Sequence, residues 1–197
     1  MRFTLIMGSP RRDGNTAAAC EWMQAQWEAD GHEVTRIDVV EHRIQGCQEC
    51  WICRGEARSR EALCEIDDDA NGILRRMTAS DVIVLATPVF CWGFPSHMKA
   101  LVDRMYCLAD DFLTNPDYET RLQGKRMGLL VVAGGGEENN AELLAPPFNN
   151  LTGFLKCENG GHLMLTHCTL PEDLGEGRKE KTEAFARELE QPATQKS

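Results

Sequence analysis

Short apolar segments alternating with helical ones leave this chain few ways to fold. "FTLIM" (residues 3–7) is apolar at almost every position, and so are the centres of "DVIVLATPVF" (81–90) and "RMGLLVVAGGG" (126–136). A strand with one wet face alternates apolar with polar residues, whereas an unbroken apolar run marks a strand covered on both faces. "HEVTRIDV" (32–39) does alternate, setting Thr35, Ile37 and Val39 against Arg36 and Asp38, which fits a strand near a sheet edge. "HLMLTHCTL" (162–170) reads as the last strand. The stretches between them read as helices. From Asn15, Ala19, Trp22, Met23 and Trp27 recur at helical spacing until Gly31 ends the run. Further helices are expected over Ala70 to Thr78, over "PSHMKALVDRMYCLA" (95–109) with Ser96 as its cap, and over "GRKEKTEAFARELE" (177–190). Residues 140–160 read as partly helical, interrupted near Pro146 and Pro147.

Strand and helix alternate about five times, the pattern of a parallel sheet with helices on both faces. Such sheets bind ligands at the carboxyl ends of their strands. Three loops fall there: Gly8 to Thr16, Thr87 to Gly93, and Ala133 to Glu137. The 197 residues suit one domain over 1–190, with a cysteine-bearing loop at 40–66 and a flexible tail from 191 to 197. No repeat and no second domain stand out. A net charge of −10 argues against nucleic acid or an anionic membrane surface as partner, since many phosphates would need a basic surplus. No apolar run approaches the ~20 residues of a membrane span. A cytoplasmic location is therefore expected. There, nine cysteines are buried, reactive or metal-bound, and do not form a disulfide framework.

The first loop, "GSPRRDGNT", gathers anion donors. Ser9, Asn15 and Thr16 offer polar side chains, Arg11 and Arg12 bring positive charge, and the helix that follows exposes free N–H groups. Gly14 lets the backbone turn closely around a ligand. A nucleoside-triphosphate loop needs lysine before its Ser/Thr, and here Asn15 stands in that place. The loop therefore suits a single terminal phosphate better than a triphosphate or pyrophosphate.

Together, "GSPRRDGNT", "ATPVFCWGFPSHMKALVDR" and the cysteine group followed by "IDDD" resemble the flavodoxin-like family of NAD(P)H-dependent FMN reductases, closest to its iron-sulfur flavoprotein branch. The resemblance covers most of residues 3–135. It implies a three-layer α/β/α fold with a five-stranded parallel sheet in the order 2-1-3-4-5, FMN as cofactor, NAD(P)H as substrate, and homodimers or homotetramers. It carries the phosphate loop onto Ser9, Arg11, Gly14, Asn15 and Thr16. The flavin-ring loop falls on Thr87, Pro88, Val89, Phe90, Trp92 and Gly93, with Gly134 and Gly135 closing over the cofactor. The family often has tyrosine where Phe90 stands. Cys91 is read as filling space. Lys99, Asp103 and Arg104 match the family's helix pattern, in a structural or interface role. His97 lies nearest the ring loop, as a capping or surface residue or as a substrate contact.

Cys47, Cys50, Cys53 and Cys64 form C-x2-C-x2-C-x10-C. Such spacing can bring thiolates onto one soft metal centre, and it suits [4Fe-4S] better than zinc, which more often uses two separated pairs. Redox-active thiols and a zinc site stay open beside it. The other cysteines on predicted helices and strands, Cys20, Cys107, Cys157 and Cys168, read as buried small hydrophobes. No acid–base triad is evident, and flavin chemistry needs none, because the cofactor carries it. The expected function is an FMN-dependent NAD(P)H oxidoreductase, passing hydride to the flavin and electrons on to a small-molecule or redox-protein acceptor. The alternatives are a cluster-free quinone or aromatic-compound reductase and a non-enzymatic flavin/thiol redox sensor.

Overall fold

The computed structural model describes residues 1–54 and 63–191. Ten regular elements alternate: β1 (Arg2–Met7), α1 (Asn15–Ala29), β2 (Glu33–Asp38), α2 (Ala70–Ala79), β3 (Val82–Pro88), α3 (Ser96–Arg104), β4 (Arg126–Val132), α4 (Ala145–Phe154), β5 (Glu158–Leu165) and α5 (Glu176–Glu190). The five strands form one sheet in the order β2-β1-β3-β4-β5, every pairing parallel. This is the expected three-layer fold and strand order. Among the described residues no helix is long and apolar enough to cross a membrane.

Successive strand residues point to opposite faces, so each inner strand feeds two cores. Phe3, Leu5 and Met7 of β1 and Val82, Val84 and Ala86 of β3 pack with Trp27 of α1 and Phe185 and Leu189 of α5. On the other face Ile6, Ile83, Leu85 and Leu129 meet Leu74 of α2, Leu101 of α3 and Phe148 of α4. This two-sided burial explains the lack of polar alternation in β3 and β4. Phe3 stacks on Trp27 at 4.4 Å between ring centroids, and the Trp27 indole N–H donates to the Ala186 carbonyl at 3.0 Å. That bond satisfies the one polar group of the largest buried side chain in the core.

Two glycines let α5 lie close to the sheet. A Cβ on Gly160 would stand 2.5 Å from a Leu189 methyl and 3.1 Å from the Met127 carbonyl oxygen; one on Gly128 would stand 3.0 Å from both Leu189 methyls. The register between β4 and β5 shifts at the same place, between Met127 and Leu129, the local irregularity that glycine permits.

Several elements differ from expectation. β5 begins at Glu158, inside the stretch expected to be partly helical, because "ENGG" pairs with β4 where α5 needs side-chain-free backbone. Pro146 and Pro147 do not interrupt a helix. They occupy the first turn of α4, where the missing N–H has no intrahelical partner to lose. The helix expected to reach residue 109 ends as α3 at Arg104 and continues as a 3-10 turn over Met105–Leu108. Between that turn and β4, Ala109 and Thr120 pair, and Tyr106, Phe112, Tyr118 and Phe154 form one aromatic group. Of the expected tail, residues 192–197 lie outside the described residues, as does 55–62 of the cysteine-bearing loop.

Replacing Gly160 by alanine forces Leu189 off its site against backbone that cannot move away. Gly160→Ala is expected to lower the unfolding free energy by about 1–3 kcal/mol, read by urea denaturation.

Candidate functional site

Parallel strands bring the loops after β1, β3 and β4 to one edge, and hydrogen bonds lace them together. The Gly8 amide donates to the Ala86 carbonyl at 2.8 Å, and the Val89 amide to Val132 at 3.2 Å. His97 of α3 bonds the Gly8 carbonyl through Nε2 at 2.7 Å, which makes it a positioning residue for the first loop. The segment after β5 crosses the same edge. The His167 amide donates to Gly135 and the Cys168 amide to Ala133, at 3.0 and 2.9 Å.

The first loop leads into an open helix start. α1 starts at Asn15 with Gly14 as its cap residue, no side chain caps it, and its first turn holds no acidic residue. Its leading N–H groups therefore carry the helix's positive end toward the loop. Arg11 is exposed and folds back over Gly14, where a Cβ would stand 3.1 Å from Arg11 Cβ and 3.3 Å from its Nε. Arg12 is paired with Glu41 at 2.8 Å. Ser9 is buried and shapes the turn, its hydroxyl accepting from the Arg11 amide at 3.2 Å. Thr16 is buried beside it. Asn15 spends its side-chain N–H groups on the Cys168 and Leu170 carbonyls, at 2.9 and 3.0 Å. Its amide thus fastens the strap after β5 to the start of α1. Asp173 in turn accepts from the Thr169 and Leu170 amides, and these bonds hold its carboxyl below the usual carboxylate range. The loop thus combines an uncapped helix start, one close arginine and a glycine turn.

The second loop is a tight hairpin. Phe90 and Gly93 exchange both backbone hydrogen bonds at 3.0 Å, and the two residues between them, Cys91 and Trp92, have φ of 46° and 59°. Both are left-handed, as in a turn that normally takes Asn-Gly. Non-glycine residues held there cost on the order of 1–3 kcal/mol each. The turn displays its aromatics: Phe90 is 46% and Trp92 65% exposed. Cys91 is exposed too, so it does not fill space. Thr87 and Pro88 end β3, Thr87 fully buried with its hydroxyl donating to the Pro88 carbonyl at 2.9 Å. Just after β4, Gly134 and Gly135 are crowded by the chain itself. A Cβ there would meet Thr169 Oγ1 at 3.0 Å and Asn140 Nδ2 at 2.7 Å respectively.

The four motif cysteines line one pocket, joined by Cys107, Asp103 and Arg104. The frame of this pocket is a buried ion pair. Asp68 and Arg104 have fully buried side chains and meet at 2.5 Å. Asp68 also accepts from the Gln45 and Ala70 amides, at 2.8 and 3.1 Å. Arg104 donates to the Gln45 and Ile66 carbonyls, at 3.4 and 3.3 Å. Asn71 clamps Cys64 by both backbone groups, at 2.8 and 2.9 Å. Both ends of the cysteine segment are therefore tied to α2 and α3. Arg54 leaves its stem under the aromatic group, its guanidinium 4.3 Å from the Trp51 ring centroid and 5.0 Å from that of Phe112. Burial alone would push the Asp68 carboxyl up; Arg104 and the two amides outweigh it and hold it below the usual range. Burial likewise opposes the Arg104 charge, and Asp68 with the neighbouring Cys64 more than restores it.

In residue type the pocket offers the donors of a thiolate-held centre; in spacing it does not fit one. Arg104 Nε is buried with no hydrogen-bond partner, on the wall that Cys64 shares. Yet among the described residues no three Cys, His, Asp or Glu side chains stand close enough together to hold an ion, so the thiols ring the pocket without converging. The remaining cysteines divide. Burial pushes Cys20 and Cys157 up to about 12, and raises Cys168, which suits inert core thiols. Cys107 is buried in the core as expected and also lines the pocket, as a fifth thiol there. Asp68, Asn71 and the Thr169 strap escaped the sequence reading, although "IDDD" marked the place of the first.

The family model described as NADPH-dependent FMN reductase matches residues 1–156. An iron-sulfur flavoprotein of Archaeoglobus fulgidus is 30% identical over 184 residues, 91% of this chain and 88% of the relative. An iron-sulfur flavoprotein of Methanosarcina thermophila is 32% identical over 108 residues, and there the match spans 55% of this chain and 54% of the relative's length. In fold, the chain is similar to the NAD(P)H:quinone oxidoreductase from Methanothermobacter marburgensis, with a TM-score of 0.74 at 19% identity over 98% of each chain.

The buried pair sets a pH dependence. The Asp68 carboxyl is depressed in the folded chain, so its contribution is complete above the ordinary carboxylate value and is lost as pH falls through the folded one. Asp68→Asn leaves the Arg104 charge buried alone and is expected to cost about 3–5 kcal/mol at pH 7. The gap to the parent should narrow below about pH 4. Urea denaturation at pH 3, 4, 5 and 7 measures both.

Proposed function

Since the chain belongs to the NADPH-dependent FMN reductase family, we propose that it binds FMN at the carboxyl edge of its sheet and works as an NAD(P)H-dependent oxidoreductase. One observation carries the reading: an uncapped α1 start beside Arg11 shares that edge with an exposed aromatic hairpin. Ser9, Gly14 and Thr16 shape the phosphate cradle, Arg11 supplies its charge, and Asn15 locks its position. Thr87, Pro88, Val89 and Gly93 offer backbone to the polar edge of the ring, with Phe90 and Trp92 as its aromatic border and Gly134 and Gly135 opposite. Bound FMN supplies acceptance of hydride from NAD(P)H and release of electrons to a small-molecule or redox-protein acceptor. No residue of the chain needs to donate a proton in fixed steps. The protein orients the ring and limits what reaches it. Nine cysteines without a disulfide suit the cytoplasm, and the reading includes a homodimer or homotetramer.

Cys47, Cys50, Cys53 and Cys64 form the second redox site of this reading, a [4Fe-4S] centre that would exchange single electrons. The pocket they share and the free Arg104 N–H support it. A cluster-free quinone or aromatic-compound reductase is the rival, favoured by the wide spacing of the thiols around a cavity of about 20 Å³.

Titration of the apoprotein with FMN tests the first part. Binding near one FMN per chain is expected, and Arg11→Ala should weaken it about tenfold, the loss of one charge-assisted bond. A parent chain that binds no FMN ends the proposal, and one that binds FMN but oxidises neither NADH nor NADPH is a redox sensor instead. For the second part, anaerobic preparations should carry iron and acid-labile sulfide at about four each per chain, lost in Cys64→Ser. FMN without iron decides for the rival.

A further inference from the structure

α5 ends among carboxyl groups that have too few donors. Glu190, its last residue, is mostly buried, and its Oε1 is enclosed with no hydrogen-bond partner. Its other oxygen faces His32 Nε2 at 3.7 Å. The Asp30 carboxyl, at the end of α1, stands within hydrogen-bond reach of Glu190. Two carboxylates have no hydrogen between them, whereas one carboxylic acid supplies it, and like charges in contact favour keeping one of the two neutral. Burial first, and then Asp30, push the Glu190 carboxyl up, with His32 pulling the other way.

The surrounding groups decide which carboxyl holds the proton. Asp30 already accepts from Gln26 Nε2 at 2.6 Å, and Gln26 accepts from Arg187 of α5 at 2.9 Å. Glu190 Oε1 has no such donor. His32, between α1 and β2, lies 5.1 Å from the Phe3 ring of β1, and the Met1 nitrogen is 3.3 Å from its Nδ1. Arg126 of β4, also at this end, is paired with Glu158 and donates to the Glu188, Leu189 and Gln191 carbonyls. Arg126 thus holds the backbone of the last turn, while the carboxyl pair ties its side chain to the end of α1.

We propose that Glu190 and Asp30 share one proton that latches the end of α5 to the turn between α1 and β2, and that loss of this proton as pH rises loosens the last turn of the helix. A carboxyl raised in the folded chain contributes fully below the ordinary carboxylate value, and the contribution is lost as pH climbs through the folded one. Glu190→Gln keeps an N–H for Asp30 and cannot ionise. Asp30→Asn offers an N–H to the Glu190 carboxylate. Imidazoles also titrate in this range, so His32→Gln separates that contribution.

The test compares the full-length parent with the three variants between about pH 4 and pH 8. The readout is hydrogen-exchange protection of the Glu188, Leu189 and Glu190 amides, corrected for the intrinsic pH dependence of exchange and set against amides of β3. In the parent this protection should fall about tenfold as pH rises, the loss of one hydrogen bond. The fall should persist in His32→Gln, shrink in Asp30→Asn and vanish in Glu190→Gln. A parent without the fall overturns the proposal. So does a fall that survives Glu190→Gln, or one that disappears with His32→Gln and so belongs to the imidazole. If Glu190→Gln does not fold, an undiminished fall in Asp30→Asn overturns it as well.

Discussion

A sheet of five parallel strands can exist in water only if both faces are covered, and that requirement organises everything else in this chain. Parallel neighbours need a crossover between them, and the crossovers are the helices that cover the faces. α1 and α5 take one side, α2, α3 and α4 the other. Because every strand runs the same way, every loop that follows a strand opens on one edge. The chain does not gather Ser9, Phe90 and Gly135 by long excursions. They arrive together because β1, β3 and β4 end together.

The cysteine segment is the one part that this arrangement does not place. It leaves the sheet after β2 and returns at α2, with no strand among its described residues. The Asp68–Arg104 pair does the placing. A buried ion pair is a weak source of net stability, since desolvating two charges offsets most of their attraction. Its merit is directional. One guanidinium reaches carbonyls at Gln45 and Ile66, on either side of all four motif cysteines, and Asn71 fixes the last of them. An apolar pair of the same volume would hold α2 against α3 but would leave the segment's ends free.

What could be read from the chain, and what could not, follows from the range of the forces involved. β1, β3 and β4 were legible because two-sided burial writes itself as an unbroken apolar run. The turn from β1 into α1 was legible because strand, glycine-marked loop and helix start are consecutive in the chain. The start of β5 was hidden, since Gly160 is there for the approach of Leu189, a residue 29 positions away that no local pattern announces. Pro146 and Pro147 misled for a local reason: proline breaks a helix interior but suits a first turn, and the sequence does not say which it is in. Asn15 looked like a phosphate ligand, while its amide serves Cys168 and Leu170, 153 and 155 residues on. Arg104 matched a known helix pattern, yet its partner lies 36 residues earlier. Cys107 is as apolar in its surroundings as Cys20, and only the third dimension sets it among the pocket thiols.

The hairpin at the end of β3 shows where stability yields to use. Glycine at position 91 or 92 would relieve a left-handed residue, and selection for stability alone would favour it. The chain keeps a thiol and an indole there, both facing solvent, at a cost larger than most surface substitutions carry. Burial does not explain this, because Trp92 is among the most exposed large apolar residues described. Nor does the sheet, since β3 is already complete at Pro88. What remains is the edge itself. A two-residue turn closed by two backbone bonds is stiff, and a stiff turn holds an aromatic ring in one place without packing around it. Under the proposed FMN site, a ring fixed in that way would border the cofactor, and that is the use the strain would serve.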